Sequence, residues 1–147
     1  MRLEDEIMQK KFKSELHKLL VNIIYTGNWL NSAHSKFYKQ YGLTPQQYNL
    51  LRILRGQHPN CATVNLLTER MLDKMSNASR LVEKLRKKEY VKRIECPRDR
   101  RRVEVTITNK GLKLLKEIDD IEYEKNFNNL TIKETKQLND LLDRFRG

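Results

Sequence analysis

The chain has 147 residues, 38% of them hydrophobic and 33% charged, and thirty Lys+Arg against nineteen Asp+Glu give a net charge of +11. That length suits one domain, no stretch reaches the roughly 18 apolar residues of a membrane span, and the charged opening MRLEDEIMQKKFK has no apolar core of the kind a secretory signal needs. The two cysteines, Cys61 and Cys96, form no CxxC pair, which excludes a disulfide scaffold or cysteine-rich zinc site and leads us to expect a soluble, cytoplasmic protein with no membrane partner. Residues 1–39 predict one long helix, with Phe12, Leu16, Leu19, Leu20, Ile23 and Ile24 at three- and four-residue spacing, a kink at Gly27 and an end at Tyr41-Gly42. Thr44-Pro45-Gln46-Gln47 starts a second helix: Thr44 caps it, Pro45 suits the first position and Gln47 completes a capping box. Tyr48, Leu51 and Leu54 share its buried face, and Gln57-His58-Pro59-Asn60 is a turn. A short helix follows over about 63–71, with Val64, Leu67 and Met71 inward and Cys61 just before it as a buried thiol.

Leu72-Asp73-Lys74 breaks that helix and a fourth begins near Met75. On a helical wheel Met75, Ala78, Leu81, Val82 and Leu85 fill one arc, opposite Ser76, Arg80, Glu83 and Lys87, with Asn77, Ser79 and Lys84 on the flanks. Val103, Val105 and Ile107 alternate with Glu104 and Thr106 as a half-buried strand does. Together with a less regular strand over 90–95 they predict a hairpin whose seven-residue loop, CPRDRRR, carries four arginines. Thr108-Asn109-Lys110-Gly111 leads into a helix with Leu112, Leu115, Ile118 and Ile121, and Thr131 and Glu134 form a second capping box before Leu138, Leu141, Leu142 and Phe145. The fold class is therefore mainly α with a small β-hairpin.

The charge is concentrated. Residues 74–102 carry a net +8 of the total, against +4 over residues 1–73 and −1 over residues 103–147. A solubilising surface would spread its lysines more evenly, whereas a focused patch suits a polyanion. A short helix, a three-residue break and a second helix with a polar N-terminal end make a helix-turn-helix, whose second helix fits the major groove of B-DNA. Ser, Asn and Arg side chains at that end suit base edges, the arginine-bearing hairpin suits the negative potential of a narrow minor groove, and Lys84, Arg86, Lys87, Lys88, Lys92 and Arg93 suit phosphates.

Residues 35–126 resemble the MarR (multiple antibiotic resistance regulator) family of winged helix-turn-helix transcription factors. The most specific segment is Asp99-Arg100-Arg101-Arg102-Val103-Glu104-Val105-Thr106-Ile107-Thr108 followed by Lys110-Gly111, which resembles the family's wing signature. Ser76-Asn77-Ala78-Ser79-Arg80-Leu81-Val82-Glu83-Lys84-Leu85 resembles its recognition helix. The resemblance implies one domain over 1–147, with helices at about 1–40 and 112–147 for dimerisation and a winged helix-turn-helix domain over about 44–111. It implies a homodimeric regulator, typically a repressor, that binds a pseudo-palindromic stretch of double-stranded DNA and is released by a small phenolic or anionic effector. By position it assigns Ser76, Asn77, Ser79 and Arg80 to the major groove, and Asp99, Arg100 and Arg101 to the wing, where Asp99 orients Arg101 and Arg100 could exchange roles with it. Lys74, Lys84, Lys87, Lys88, Arg98 and Arg102 become phosphate contacts. Glu89 departs from the family, which usually has glycine there.

Several other signals point elsewhere or nowhere. The family's redox branch uses a cysteine near the end of the first helix, which this chain lacks; Cys96 sits beside Arg93 and Arg98, which would favour its thiolate. His17, His34 and His58 accompany no metal-ligand spacing, so no metal and no cofactor are expected. The acidic runs Glu4-Asp5-Glu6 and Asp119-Asp120 with Glu122 and Glu124 read as solvated helix faces rather than a nuclease centre, so no enzyme is expected. A winged-helix module for acidic protein partners, or a non-specific architectural DNA binder, remains the alternative. Trp29, His34, Phe37, Tyr38 and Tyr41 are the candidate effector-pocket residues, with plain interface packing as the other reading.

Overall fold

The computed structural model describes the chain except for residues 97, 98, 122 and 128 and the side chains of residues 95, 96 and 99–103. In chain order it runs α1 (Leu3–Glu6), α2 (Glu15–Lys39), α3 (Pro45–Gln57), β1 (Ala62–Thr63), α4 (Val64–Arg70), α5 (Ala78–Lys87), β2 (Val91–Cys96), β3 (Asp99–Ile107), α6 (Asn109–Asp119), a 3-10 turn (Tyr123–Phe127) and α7 (Ile132–Arg146).

The predicted first helix is two. Ser14 is extended at φ −162° and its side chain accepts from the His17 amide, so α2 starts there and Phe12 lies outside it. The apolar period runs through this break, and only the local cap reveals it. Lys18 pairs with Glu4 and the Tyr25 hydroxyl donates to Glu6 Oε2 at 2.5 Å, tying α1 back onto α2. The capping box of α3 forms as predicted: Thr44 Oγ1 accepts from the Gln47 amide at 3.2 Å and Gln47 Oε1 from the Thr44 amide at 3.1 Å. Gly42, at φ +67°, makes the left-handed turn that lets the chain leave α2 for α3.

Three antiparallel strands lie in the order β1-β3-β2. Val91 pairs with Ile107, Arg93 with Val105 and Cys96 with Asp99, with a register irregularity at Glu95/Cys96, and Ala62 of β1 pairs with Val105. The arginine segment therefore differs from expectation. Asp99–Arg102 belong to β3 rather than to a seven-residue loop, the pairing resuming at Cys96 and Asp99 beyond the register shift. The two-residue strand β1 carries no sequence period and is also new.

One core joins these elements. Leu50, Leu51 and Leu54 of α3, Leu67 of α4, Met71, Val82 and Leu85 of α5, Val91, Val105 and Leu115 of α6 are fully buried, each stabilising the fold by about 1.5–3 kcal/mol through removal from water. Met75 and Ile121 are not part of it: Met75 precedes α5 and is 94% exposed, and Ile121 follows α6 and is exposed. Cys61 is exposed rather than buried, and its thiol donates to Glu104 Oε2 at 2.7 Å, a polar partner on β3 that draws it outward.

Candidate nucleic-acid interface

Asn77 caps α5, its Oδ1 accepting from the Arg80 amide at 3.0 Å, so the helix begins at Ala78 and not near Met75. Asp73 organises the turn before it: Oδ1 accepts from the Met75 amide at 3.0 Å, its carbonyl from the Ser76 amide at 3.1 Å, and the Ser76 side chain bonds its carboxylate. These bonds, the Met75 amide first and then the Ser76 and Gln46 side chains, hold the Asp73 carboxyl below its ordinary value. From α3, Asn49 Oδ1 accepts from the Leu72 amide at 2.9 Å. The turn between α4 and α5 is thus fixed to the helix beneath it.

The four predicted base-contacting residues come together at this end of α5. Asn77, Ser79 and Arg80 are exposed, while Ser76 is half-buried against Asp73. Asn77 spends its oxygen on the cap, leaving its amide hydrogens to face outward. The predicted phosphate contacts divide. Lys74 reaches back to the Glu69 carbonyl at 2.5 Å, at the C-terminal end of α4. Lys84, Lys87 and Lys88 line a shallow groove of about 540 Å³ with Lys39, a residue sequence reasoning missed because it is distant in the chain. Lys88 also donates to the Gly42 carbonyl. Arg86 and Arg93 are engaged by Glu83, at 2.8 Å and 3.7 Å, so they are less available to phosphate than expected. Arg98 lies outside the described residues. Asp99, Arg100, Arg101 and Arg102 are placed on β3 by their backbone, and their side chains, like that of Cys96, lie outside the described ones.

The chain leaves α5 through Glu89, whose φ of +63° is the left-handed conformation that glycine adopts readily. Thr108 Oγ1 donates to its carbonyl at 2.8 Å and Lys110 Nζ pairs with its carboxylate at 3.1 Å, which ties the end of α5 to the start of α6.

The aromatic candidates gather where α2, α3 and the 3-10 turn meet. Tyr38 stacks on Tyr48 with centroids 4.1 Å apart, and Phe37 on Tyr123 at 3.8 Å. His34 lies within about 6 Å of Tyr38, Tyr123 and Phe127, Trp29 meets Phe127 edge-on at 5.6 Å, and Tyr41 packs against Phe37. A cavity of about 560 Å³ opens beside this cluster, between α2, α3 and the α4–α5 turn, lined among others by His34, Tyr38, Tyr48, Asn49, Arg52 and Asp73. Of the five predicted pocket residues, His34 and Tyr38 face it, Phe37 lines a neighbouring cleft of about 320 Å³, and Trp29 and Tyr41 line neither. Burial raises the Tyr38 phenol well above its ordinary value and lowers the His34 imidazole, leaving both neutral at pH 7. Arg52 and Asp73 supply opposite charges to the lining; Arg52 donates to the Tyr48 hydroxyl at 2.8 Å and lies 3.6 Å from Asp119, which Arg55 also holds at 2.5 Å. Tyr48 and Arg52 share one face of α3 at i, i+4 spacing, a signal that points to this pair, whereas nothing local points to Tyr123.

Among the described residues, no His, Cys, Asp and Glu side chains are grouped to hold a metal ion, and no helix is long and apolar enough to cross a membrane.

Residues 41–102 match the model of the MarR family. The HTH-type transcriptional regulator PapX of Escherichia coli is 25% identical over 96 residues, which are 65% of this chain. The chain spans only 58% of the length of that relative. Among solved structures, a MarR-like transcription regulator from Bacillus cereus ATCC 10987 superposes with a TM-score of 0.77 at 24% identity, over 90% of this chain and 96% of that one. BpsR of Bordetella bronchiseptica, whose DNA binding is regulated by 6-hydroxynicotinic acid, gives 0.72 at 21% identity over 93% and 97%. The shared fold is a winged helix-turn-helix flanked by helices from both ends of the chain.

Proposed function

We propose that this chain, whose residues 41–102 match the model of the MarR family, is a winged-helix transcriptional regulator of that family, a sequence-specific reader of double-stranded DNA in the cytoplasm that represses its targets as a homodimer on a pseudo-palindromic operator. The observation that carries this reading is the end of α5: Ser76, Asn77, Ser79 and Arg80 gather there on a turn fixed by Asp73 and Asn49, with three of the four exposed. Hydrogen-bonding groups on rigid backbone at a helix N-terminus are what base-edge recognition in the major groove requires. In this reading residues 99–102, on the strand that follows, bring arginines to the minor groove, and Lys84, Lys87 and Lys88 neutralise phosphates. Residues 1–40 and 112–147 form the dimer, supported by the apolar faces that α2 and α7 leave uncovered.

Release by a small hydroxyaromatic or anionic effector has its support in the cavity beside Tyr38, Tyr48 and Arg52. That cavity touches the α4–α5 turn through Leu72 and Asp73, so a guest there would press on the element that carries the reading residues. BpsR, which shares the fold, answers to an aromatic hydroxy acid; here the aromatic wall and the Arg52 guanidinium suit such a ligand, with the Asp73 carboxylate at the opposite, turn side of the lining as a place for its hydroxyl to donate.

Fluorescence anisotropy with the duplex upstream of the protein's own gene and with a scrambled duplex, over a salt series, tests this. We expect preference for the native duplex by about a thousandfold or more and a steep negative slope of log affinity against log salt. Arg80→Ala is expected to erode that preference by about 1–3 kcal/mol. Equal affinity for both duplexes in the wild type would overturn sequence-specific reading.

A further inference from the structure

Met75 is 94% exposed, whereas Met71, four residues earlier, is 1% exposed. The turn between them is not free to fold Met75 inward. The Leu72 amide is held by Asn49, the Met75 amide by the Asp73 carboxylate and the Ser76 amide by the Asp73 carbonyl, and Asn77 then caps α5. An apolar side chain is therefore presented to solvent on a rigid platform, two residues ahead of the helix cap. Leu72, the other exposed apolar residue of the turn, lines the cavity beside Tyr38, and Met75 does not. The uncovered apolar faces suited to a second copy of the chain lie on other elements, α2 and α7.

Around Met75 the other groups are polar: Lys74, Ser76, Asn77, Ser79 and Arg80. In the major groove the bases present hydrogen-bond donors and acceptors and one apolar group, the C5-methyl of thymine. We propose that Met75 is a specificity-determining residue whose thioether packs against a thymine methyl in each half-site, adding an apolar reading to the hydrogen-bonded readings of its neighbours. Its flexible, polarisable chain suits such a contact. The proposal rests on the DNA-reading function above.

Deoxyuridine differs from thymidine only by that methyl, so replacing thymines one at a time in the upstream duplex isolates the contact. Wild-type protein should lose about fourfold in affinity at one thymine per half-site, the worth of one buried methyl-sized group. Met75→Ala should bind the thymine duplex about fourfold more weakly and be indifferent to deoxyuridine at that position, while Met75→Leu should keep the sensitivity. Met75→Ala with wild-type affinity, or with undiminished sensitivity at every thymine, would overturn the proposal and leave the DNA-reading function standing. Lack of preference for the native over the scrambled wild-type duplex would instead remove the function and the proposal together.

Discussion

Gly111 shows how tightly two parts of the wing are joined. A Cβ at this position would lie 2.5 Å from the Tyr90 carbonyl oxygen and 2.8 Å from Ile107 Cγ1, and that same carbonyl accepts from the Thr108 amide at 3.0 Å. A backbone atom cannot step aside as a flexible side chain can, so even a methyl group must push the first turn of α6 off the sheet. Gly111→Ala should therefore destabilise the fold by about 1–3 kcal/mol, read as a lower urea midpoint at unchanged slope. Glu89 is the opposite case, a side chain where the backbone favours none. A left-handed non-glycine residue costs about 1–2 kcal/mol, and glycine returns part of that gain as entropy of the unfolded chain. Glu89→Gly is expected to raise stability by about 0.5 kcal/mol and leave operator affinity unchanged; a loss of stability would mean that the Lys110 ion pair outweighs the strain.

At the level of elements, α2, α3 and the 3-10 turn meet through aromatic rings, and His34 makes that junction sensitive to acid. Burial lowers its pKa below the ordinary 6.5, so below that pH the unfolded chain takes up a proton that the folded chain resists. Stability is then unaffected above about pH 6.5 and falls as pH drops below it. Thermal unfolding at pH 7.5 and 5.5 should show a larger loss for wild type than for His34→Phe, and equal losses would remove His34 as the cause. This junction also shows where sequence reading stops. The capping boxes Thr44/Gln47 and Thr131/Glu134 were legible because both partners lie three residues apart, and Val105 and Ile107 were legible because a half-buried strand imposes a period of two. The polar end of α5 was legible only in part: Ser79 and Arg80 lie on the helix, whereas Ser76 precedes it and Asn77 caps it, so a helical face could not place those two. The stack of Phe37 on Tyr123 and the pairing of Arg52 with Asp119 join residues far apart in the chain, and no local period encodes them. The break at Ser14 stayed hidden because the apolar spacing is the same on both sides of it. Met75 fitted the helical wheel, yet the Asn77 cap starts the helix after it, so its place on the buried arc was an accident of spacing.

On the scale of the whole molecule, α7 is the element a single chain does not account for. None of its fifteen residues is buried, and an isolated helix of that length is marginal in water. Its apolar residues nevertheless keep one stripe, with Leu138, Leu141 and Phe145 each 44–48% exposed at spacings of three and four. On α2, Leu16, Leu20 and Ile24 form a second stripe at spacings of four, each 45–63% exposed. Both stripes belong to the segments proposed to build the dimer, in which a second copy would cover them symmetrically and set two α5 helices for two half-sites. Leu138→Glu combined with Leu141→Glu places two like charges in that stripe without touching the core around Leu50 and Leu115. Sedimentation should then report 17.6 kDa, where the wild type is expected to report twice that mass. Operator affinity should fall steeply with the loss of the second linked half-site, while weak binding to a single half-site should survive, since the winged helix keeps its own core. A wild type that sediments as a single chain at micromolar concentration while retaining full operator preference would overturn the dimer, and α7 would then require a different partner to cover it.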